Sequence, residues 1–101
     1  MLSHMVYFTL KERNAAAVAK LVEACNQYLA GHPGTVFFAA GTVVPDLTRA
    51  VNQTDFDVAL NVVFDTRGAH DAYQQAPRHL QFVKENNSSW ERVRVFDAYV
   101  S

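Results

Sequence analysis

The sequence predicts an α+β domain of the ferredoxin-like type, with a four-stranded antiparallel sheet and its helices on one face, in the order βαββαβ. Three observations predict it. Apolar residues alternate with period two at Leu2–Lys11, at Phe56–Phe64 and again towards the C-terminus, a helical stripe separates the first two strands, and a second helical stretch, broken at Pro77, precedes the last. Residues 1–101 form one domain, and a chain of this length buries roughly 60 to 70% of its unfolded surface.

Strand one spans Leu2–Lys11, with His4, Val6, Phe8 and Leu10 on one face and Ser3, Met5, Tyr7 and Thr9 on the other. Asn14 is a suitable N-cap for helix one, whose stripe of Val18, Leu21, Val22, Cys25, Tyr28 and Leu29 stops at Gly31. The turn His32-Pro33-Gly34 leads into strand two, Thr35–Val44, which is rich in Val, Phe and Thr and closes at Pro45. Asp46–Thr54 is polar and aperiodic, an exposed loop. In strand three Phe56, Val58, Leu60, Val62 and Phe64 share one face. Ala69, Ala72, Tyr73 and Ala76 then make an inward helical stripe, which Pro77 ends because the residue before proline is pushed out of the α region. Pro77 also suits the first turn of a further helix, with His79, Phe82 and Val83 inward. Asn86–Ser89 is a loop, and Trp90–Val100 is strand four, with Val93, Val95, Asp97 and Tyr99 on one face.

Val6, Phe8, Val58, Leu60, Val62, Val93 and Val95 make one sheet face apolar enough to pack on the helices. The other face carries Met5, Tyr7, Ala59, Val63, Phe96 and Ala98 with Asn61 and Arg94, too apolar for water and too polar for a private core. A homodimer packed sheet on sheet would cover it; a monomer with an apolar surface is the competing reading. The formal charge is −1 and the nine Lys and Arg residues are scattered, which excludes the basic footprint of a nucleic-acid binder. The N-terminus alternates, lacks a basic leader and is far too short to span a membrane, so the expected location is cytoplasmic. One cysteine, Cys25, cannot form an internal disulfide, and no histidine pair has metal-ligand spacing. No metal or cofactor is expected.

Tyr73 and His79, on either side of the Pro77 break, are the candidate catalytic residues. A histidine titrates near neutrality and can take a proton from a carbon acid, while a tyrosine can donate a hydrogen bond to a carbonyl oxygen as charge builds on it. The competing reading is that the two satisfy each other or the backbone, as buried polar groups must. The candidate binding walls are His4, Val6, Phe8, Leu60, Phe82, Val83, Trp90, Val93 and Val95, with strand four and Trp90 closing the side. Cys25 reads as core, and His32 and His70 as solvated.

His4 with Val6 and Phe8, the Pro33-Gly34 turn, Phe56-Asp57, Tyr73, Pro77-Arg78-His79, Phe82, Trp90 and Phe96-Asp97 together resemble the stress-responsive dimeric α/β-barrel family, Dabb. The resemblance covers nearly the whole chain and is most specific from Tyr73 to Asp97, where the spacing is similar to that of a plant polyketide cyclase of the family. It implies a homodimer whose sheets pair into a barrel, with a cavity in each subunit between sheet and helices. It also implies that Tyr73 and His79 serve a reaction and that His4 lines the cavity. The family's His-Pro-x-His motif is Ala76-Pro77-Arg78-His79 here, lacking the first histidine, and Leu21 and Cys25 stand where the cyclase is aromatic. Two functions compete: a cofactor-independent cyclase or isomerase acting on a small apolar, carbonyl-containing ligand through a Tyr/His pair, and a non-catalytic ligand-binding or stress-response dimer in which that pair is structural.

Overall fold

The computed structural model describes residues 1–101. Its elements are β1 (Leu2–Leu10), α1 (Ala15–Leu29), β2 (Thr35–Thr42), β3 (Val58–Phe64), α2 (Arg67–Gln75), α3 (Pro77–Asn86), a 3-10 turn at Asn87–Ser89, and β4 (Trp90–Tyr99). The sheet order is β2-β3-β1-β4 with every pairing antiparallel, which is the ferredoxin-like arrangement.

β1 is hydrogen-bonded on both edges, so its alternation sets that of its neighbours. Val6 faces Leu60 on one side and Val95 on the other, and His4 lies between Val62 and Asp97. Leu2, Val6, Phe8 and Leu10 from β1 and Val58, Leu60, Val62 and Phe64 from β3 are buried under Leu21, Cys25 and Leu29 of α1, Tyr73 of α2 and Phe82 of α3. Each large apolar side chain buried this way contributes about 1.5–3 kcal/mol, which makes this cluster the main source of stability.

The helix ends follow local chemistry. Asn14 caps α1 by accepting from the backbone N–H of Ala17 at 2.8 Å, and Thr66 caps α2 by accepting from that of Ala69 at 3.1 Å. Ala76 is extended between α2 and α3, and Pro77 opens α3 where no donor is needed. Gly31 and Gly34 both have positive φ, 77° and 84°. Only the second is also crowded: a β-carbon there would lie 2.4 Å from Cβ of Ala69 and 2.8 Å from a carboxylate oxygen of Asp65.

Several expectations are corrected. Strand three begins at Val58: Asp57 is a bend whose carboxylate accepts from the Leu10 backbone N–H (2.8 Å) and from Arg13 (3.0 Å), while its own backbone N–H still bonds the Phe8 carbonyl at 2.7 Å. Strand two ends at Thr42, and a register shift between Thr35 and Phe37 leaves Val36 as an extra residue. Asn86 is the buried last residue of α3, its amide donating to the Phe82 carbonyl at 2.9 Å. Ala72 is exposed, one position off the inward stripe. Val93 and Val95 do not pack under the helices but are 39% and 49% exposed, because β4 is an edge strand beyond the helix layer.

The glycines make the first prediction. Gly31→Ala, strained only in the backbone, should lose about 1 kcal/mol of unfolding free energy, whereas Gly34→Ala, strained and overpacked, should lose about 2–4 kcal/mol. Urea denaturation of both variants measures the difference, and equal losses would contradict the tight α2 contact.

Candidate functional site

Three register and packing features build a cleft of ≈370 Å³ between the sheet and the second helical pair. The first is the outward run of β4, which leaves the cleft open along Val93 and Val95 rather than closed by strand four. The second is a register shift between Thr9 and Leu10: Thr9 pairs with Arg92 but Leu10 with Trp90, so Glu91 is the extra residue and Trp90, not Glu91, takes the helix-facing position. The third is the break at Ala76-Pro77, which swings α3 relative to α2 and sets the rings of Tyr73 and His79 4.7 Å apart, edge to face.

The cleft is lined by His4, Val6, Phe8, Leu60, Tyr73, His79, Phe82, Val83, Trp90, Val93 and Val95, which is every residue singled out from the sequence, together with Leu29, His70, Gln74 and Asp97. Asp97 is two residues beyond Val95 on the same face of β4, and the alternation that selects Val93 and Val95 selects it as well. His70, expected to be solvated, lies one helical turn before Tyr73 with its side chain only 14% exposed and its ring 5.2 Å from that of His4. Leu29 ends the buried stripe of α1. His32, also read as solvated, is buried: its Nε2 bonds the Tyr28 carbonyl at 2.8 Å and its ring meets Tyr73 at 5.0 Å.

The cleft has two ends. Phe8, Phe82 and Trp90 pack together at one, with centroid separations of 4.9 to 6.3 Å. At the other, His4 and His79 pack against Tyr73, which is 2% exposed, and His70 packs against His4. Nδ1 of His4 donates to Oδ1 of Asp97 at 2.6 Å, which fixes the ring's orientation. By contrast Tyr73 Oη, His79 Nδ1 and Trp90 Nε1 are buried without a hydrogen-bond partner. An unsatisfied buried polar group costs about 1–3 kcal/mol, and three of the five such atoms in the protein, the others being Thr35 Oγ1 and Arg94 Nε, belong to residues of this one cleft. A larger hollow of ≈550 Å³ lies between the start of α1 and the end of α3, but it is lined by Lys11, Glu12, Lys20 and Glu85 and none of the orphaned atoms faces it.

Burial lowers the pKa of His79, and the neighbouring histidines His4 and His32 push it the same way while the Gln74 backbone opposes them. Burial also lowers His4, against the opposing pull of Asp97. Both rings are therefore neutral at pH 7 and able to accept a proton. Burial raises Tyr73 well above the ordinary phenol range, making it a hydrogen-bond donor rather than an acid. The Cys25 thiol is pushed up to about 12 by burial and is inert.

A family model described as the stress responsive A/B barrel domain matches residues 2–100. Among solved structures, the chain is similar to a Dabb family protein with a ferredoxin-like fold from Mesorhizobium loti (TM-score 0.80, 19% identity, covering 99% of this chain and 96% of that one). It is also similar to a dimeric ferredoxin-like protein of unknown function from Thermobifida fusca (0.81, 19%, 98% and 90%). A third is the hydroxynitrile lyase from Passiflora edulis (0.77, 19%, 99% and 93%). At these identities the likenesses show the fold. No curated protein sequence matches.

The lowered pKa values predict an acid-sensitive fold. With the native pKa of His4 and His79 below the unfolded value near 6.5, the unfolded chain binds more protons in the window beneath about pH 6.5, so stability is full above it and falls as pH drops through the native values. Asp55, Asp71 and Glu85, held below their ordinary values by their partners, lose their contribution only at more acidic pH. Thermal melts between about pH 7.5 and 5 should show a falling Tm that His79→Gln flattens, and a flat wild-type profile would count against the burial of these rings.

Proposed function

The chain belongs to the stress responsive A/B barrel domain family, and from that premise we propose that it is a cytoplasmic homodimer whose cleft takes a small, mostly apolar carbonyl compound and moves a proton on it without a cofactor. The observation that carries the reading is the pair of buried, unpartnered atoms Tyr73 Oη and His79 Nδ1, on rings 4.7 Å apart in one apolar cleft. Tyr73 donates to the substrate carbonyl oxygen, and neutral His79 removes a proton from the adjacent carbon. The enolate charge then develops against the phenol beside the apolar walls of Val6, Phe8, Leu60, Phe82 and Val83. Attack of the carbanion on a second carbonyl of the same molecule gives a ring, with the imidazolium returning its proton to the new alkoxide; return of the proton to a different carbon gives an isomer. Trp90 Nε1 offers a further donor at the aromatic end, for an acceptor on the distal part of the substrate.

The dimer rests on the outer face of the sheet. Phe96 is 56% exposed there, and Met5, Tyr7, Val44, Leu47, Val51 and Phe56 line an open hollow of ≈480 Å³ between the sheet and the loop after β2. A contiguous apolar surface of this kind favours burial against a second copy, and the dimeric state of the Thermobifida fusca neighbour supports the same assembly. The catalytic use of such a fold is supported by the lyase among the neighbours. A non-catalytic reading also has an observation in its favour. The Tyr73 ring packs against His4, His32, Phe64 and His79, as a core residue does, and a binding protein would keep it for that alone.

Tyr73→Phe separates the two. Removing an unpartnered buried hydroxyl should leave stability unchanged or raise it, while α-hydrogen exchange of a small alkyl or aryl ketone with D2O, followed by NMR, should slow about 100-fold or more. His79→Gln should slow exchange by about 10²–10⁴. If wild-type protein accelerates no ketone in the panel, or if Tyr73→Phe loses stability and leaves exchange unchanged, the pair is structural.

Phe96→Asp puts a charge in the centre of the proposed interface and should convert a sedimenting dimer to monomer at micromolar concentration. A wild-type monomer, or a dimer indifferent to this substitution, would remove the assembly from the proposal.

A further inference from the structure

We infer that the histidine end of the cleft is a binding site for a divalent transition-metal ion, held by His4, His70 and Asp97. The three come from β1, α2 and β4, and one ligand atom from each lies within 4.8 Å of the other two. The rings of His4 and His70 have centroids 5.2 Å apart at 62°. Two imidazoles bound to one tetrahedral ion at a metal–nitrogen distance of about 2.1 Å have centroids about 5 Å apart, which the rings already match; binding then asks the ligand atoms, within 4.8 Å of one another, to settle near about 3.4 Å, with His70 moving in and the 2.6 Å His4–Asp97 pair opening slightly.

The surroundings are also those of a ligating histidine. Asp71 Oδ1 accepts from His70 Nδ1 at 3.0 Å, which puts the ring proton on that nitrogen and leaves the Nε2 lone pair free. A carboxylate on the far nitrogen is the usual outer partner of a metal-bound histidine. The Gln74 amide touches Nε2 only at 3.4 Å, a contact an ion would displace. Arg67, the nearby cation, is engaged by Asp71 at 3.1 Å and by Tyr99. At His4, the ion would replace the proton bridging Nδ1 and Oδ1 of Asp97, which passes to water.

Two nitrogens and one carboxylate oxygen suit Zn2+, Fe2+, Co2+ or Ni2+ better than Mg2+ or Ca2+. Asp97, with its side chain 45% exposed, gives a path for entry, and the rest of the coordination sphere opens onto the cleft that also holds Tyr73 and His79. Neither of those two is a ligand, so the site stands whether or not they catalyse anything.

The test is metal binding by the untagged, metal-stripped protein, read without any substrate. Calorimetric titration should give one Zn2+ per chain with a micromolar Kd, and Co2+ should develop the intense visible bands of a four- or five-coordinate site. His70→Ala and Asp97→Asn, at the two more accessible ligands, should each weaken binding about ten-fold or more while circular dichroism stays that of the native fold. Absence of saturable binding, a weak octahedral Co2+ spectrum, or variants that bind as tightly as wild type would overturn the site.

Discussion

The double pairing of β1 is the constraint from which the rest of the molecule follows. With β3 on one edge and β4 on the other, no residue of β1 can change face without moving both neighbours, so Leu2, His4, Val6, Phe8 and Leu10 are committed together to the helix side. Four of the five are apolar and build the core. The fifth, His4, is a polar ring carried into that core by its position alone, and the same register delivers Asp97 opposite to satisfy it at 2.6 Å. The helices have to be arranged around this commitment, which is why the polar end of the cleft lies where α2 and α3 meet above the first half of β1.

The helix layer then divides the sheet unequally. Leu21, Cys25, Leu29, Tyr73 and Phe82 cover β1 and β3 fully, whereas the same face of β4 keeps Val93 and Val95 partly in solvent. The space left beside them is a cleft with apolar walls and a few convergent polar groups. Its polar groups fall into two kinds. His4 is tied to Asp97 and His70 to Asp71, which orients them, while Tyr73, His79 and Trp90 each hold a buried atom with no partner. The second kind costs the fold stability, since each buried donor or acceptor without a partner has given up its bonds to water.

Much of this was legible in the sequence. Period two marked β1, β3 and β4, period 3.6 marked α1, and Asn14, Gly31 and Pro77 stood at the ends they define. The same periodicities pointed Tyr73, His79 and the apolar residues of the cleft towards one another, because a side chain's face is decided by its nearest neighbours in the chain. Where a residue fell between patterns the reading failed. His70 lies off an alanine-rich stripe and His32 in a turn, positions that predict solvation, yet both are held inward by partners that local pattern does not reveal: the His4 ring and the Tyr28 carbonyl.

What only the tertiary structure decided is how far elements slide and how completely they cover each other. The extra residue Glu91 turns Trp90 into the cleft, the Asp57 carboxylate at the start of β3 ties down the Leu10 backbone and Arg13, and β4 lies at the edge with its valines open. The meeting of His4, His70 and Asp97 from three elements likewise has no signature in spacing. The sequence by itself determined the elements, their order and the face each residue takes, since those depend on residues two to four positions apart. Register shifts, edge exposure and the joining of distant side chains depend on packing between segments far apart in the chain, and so belong to the folded structure alone.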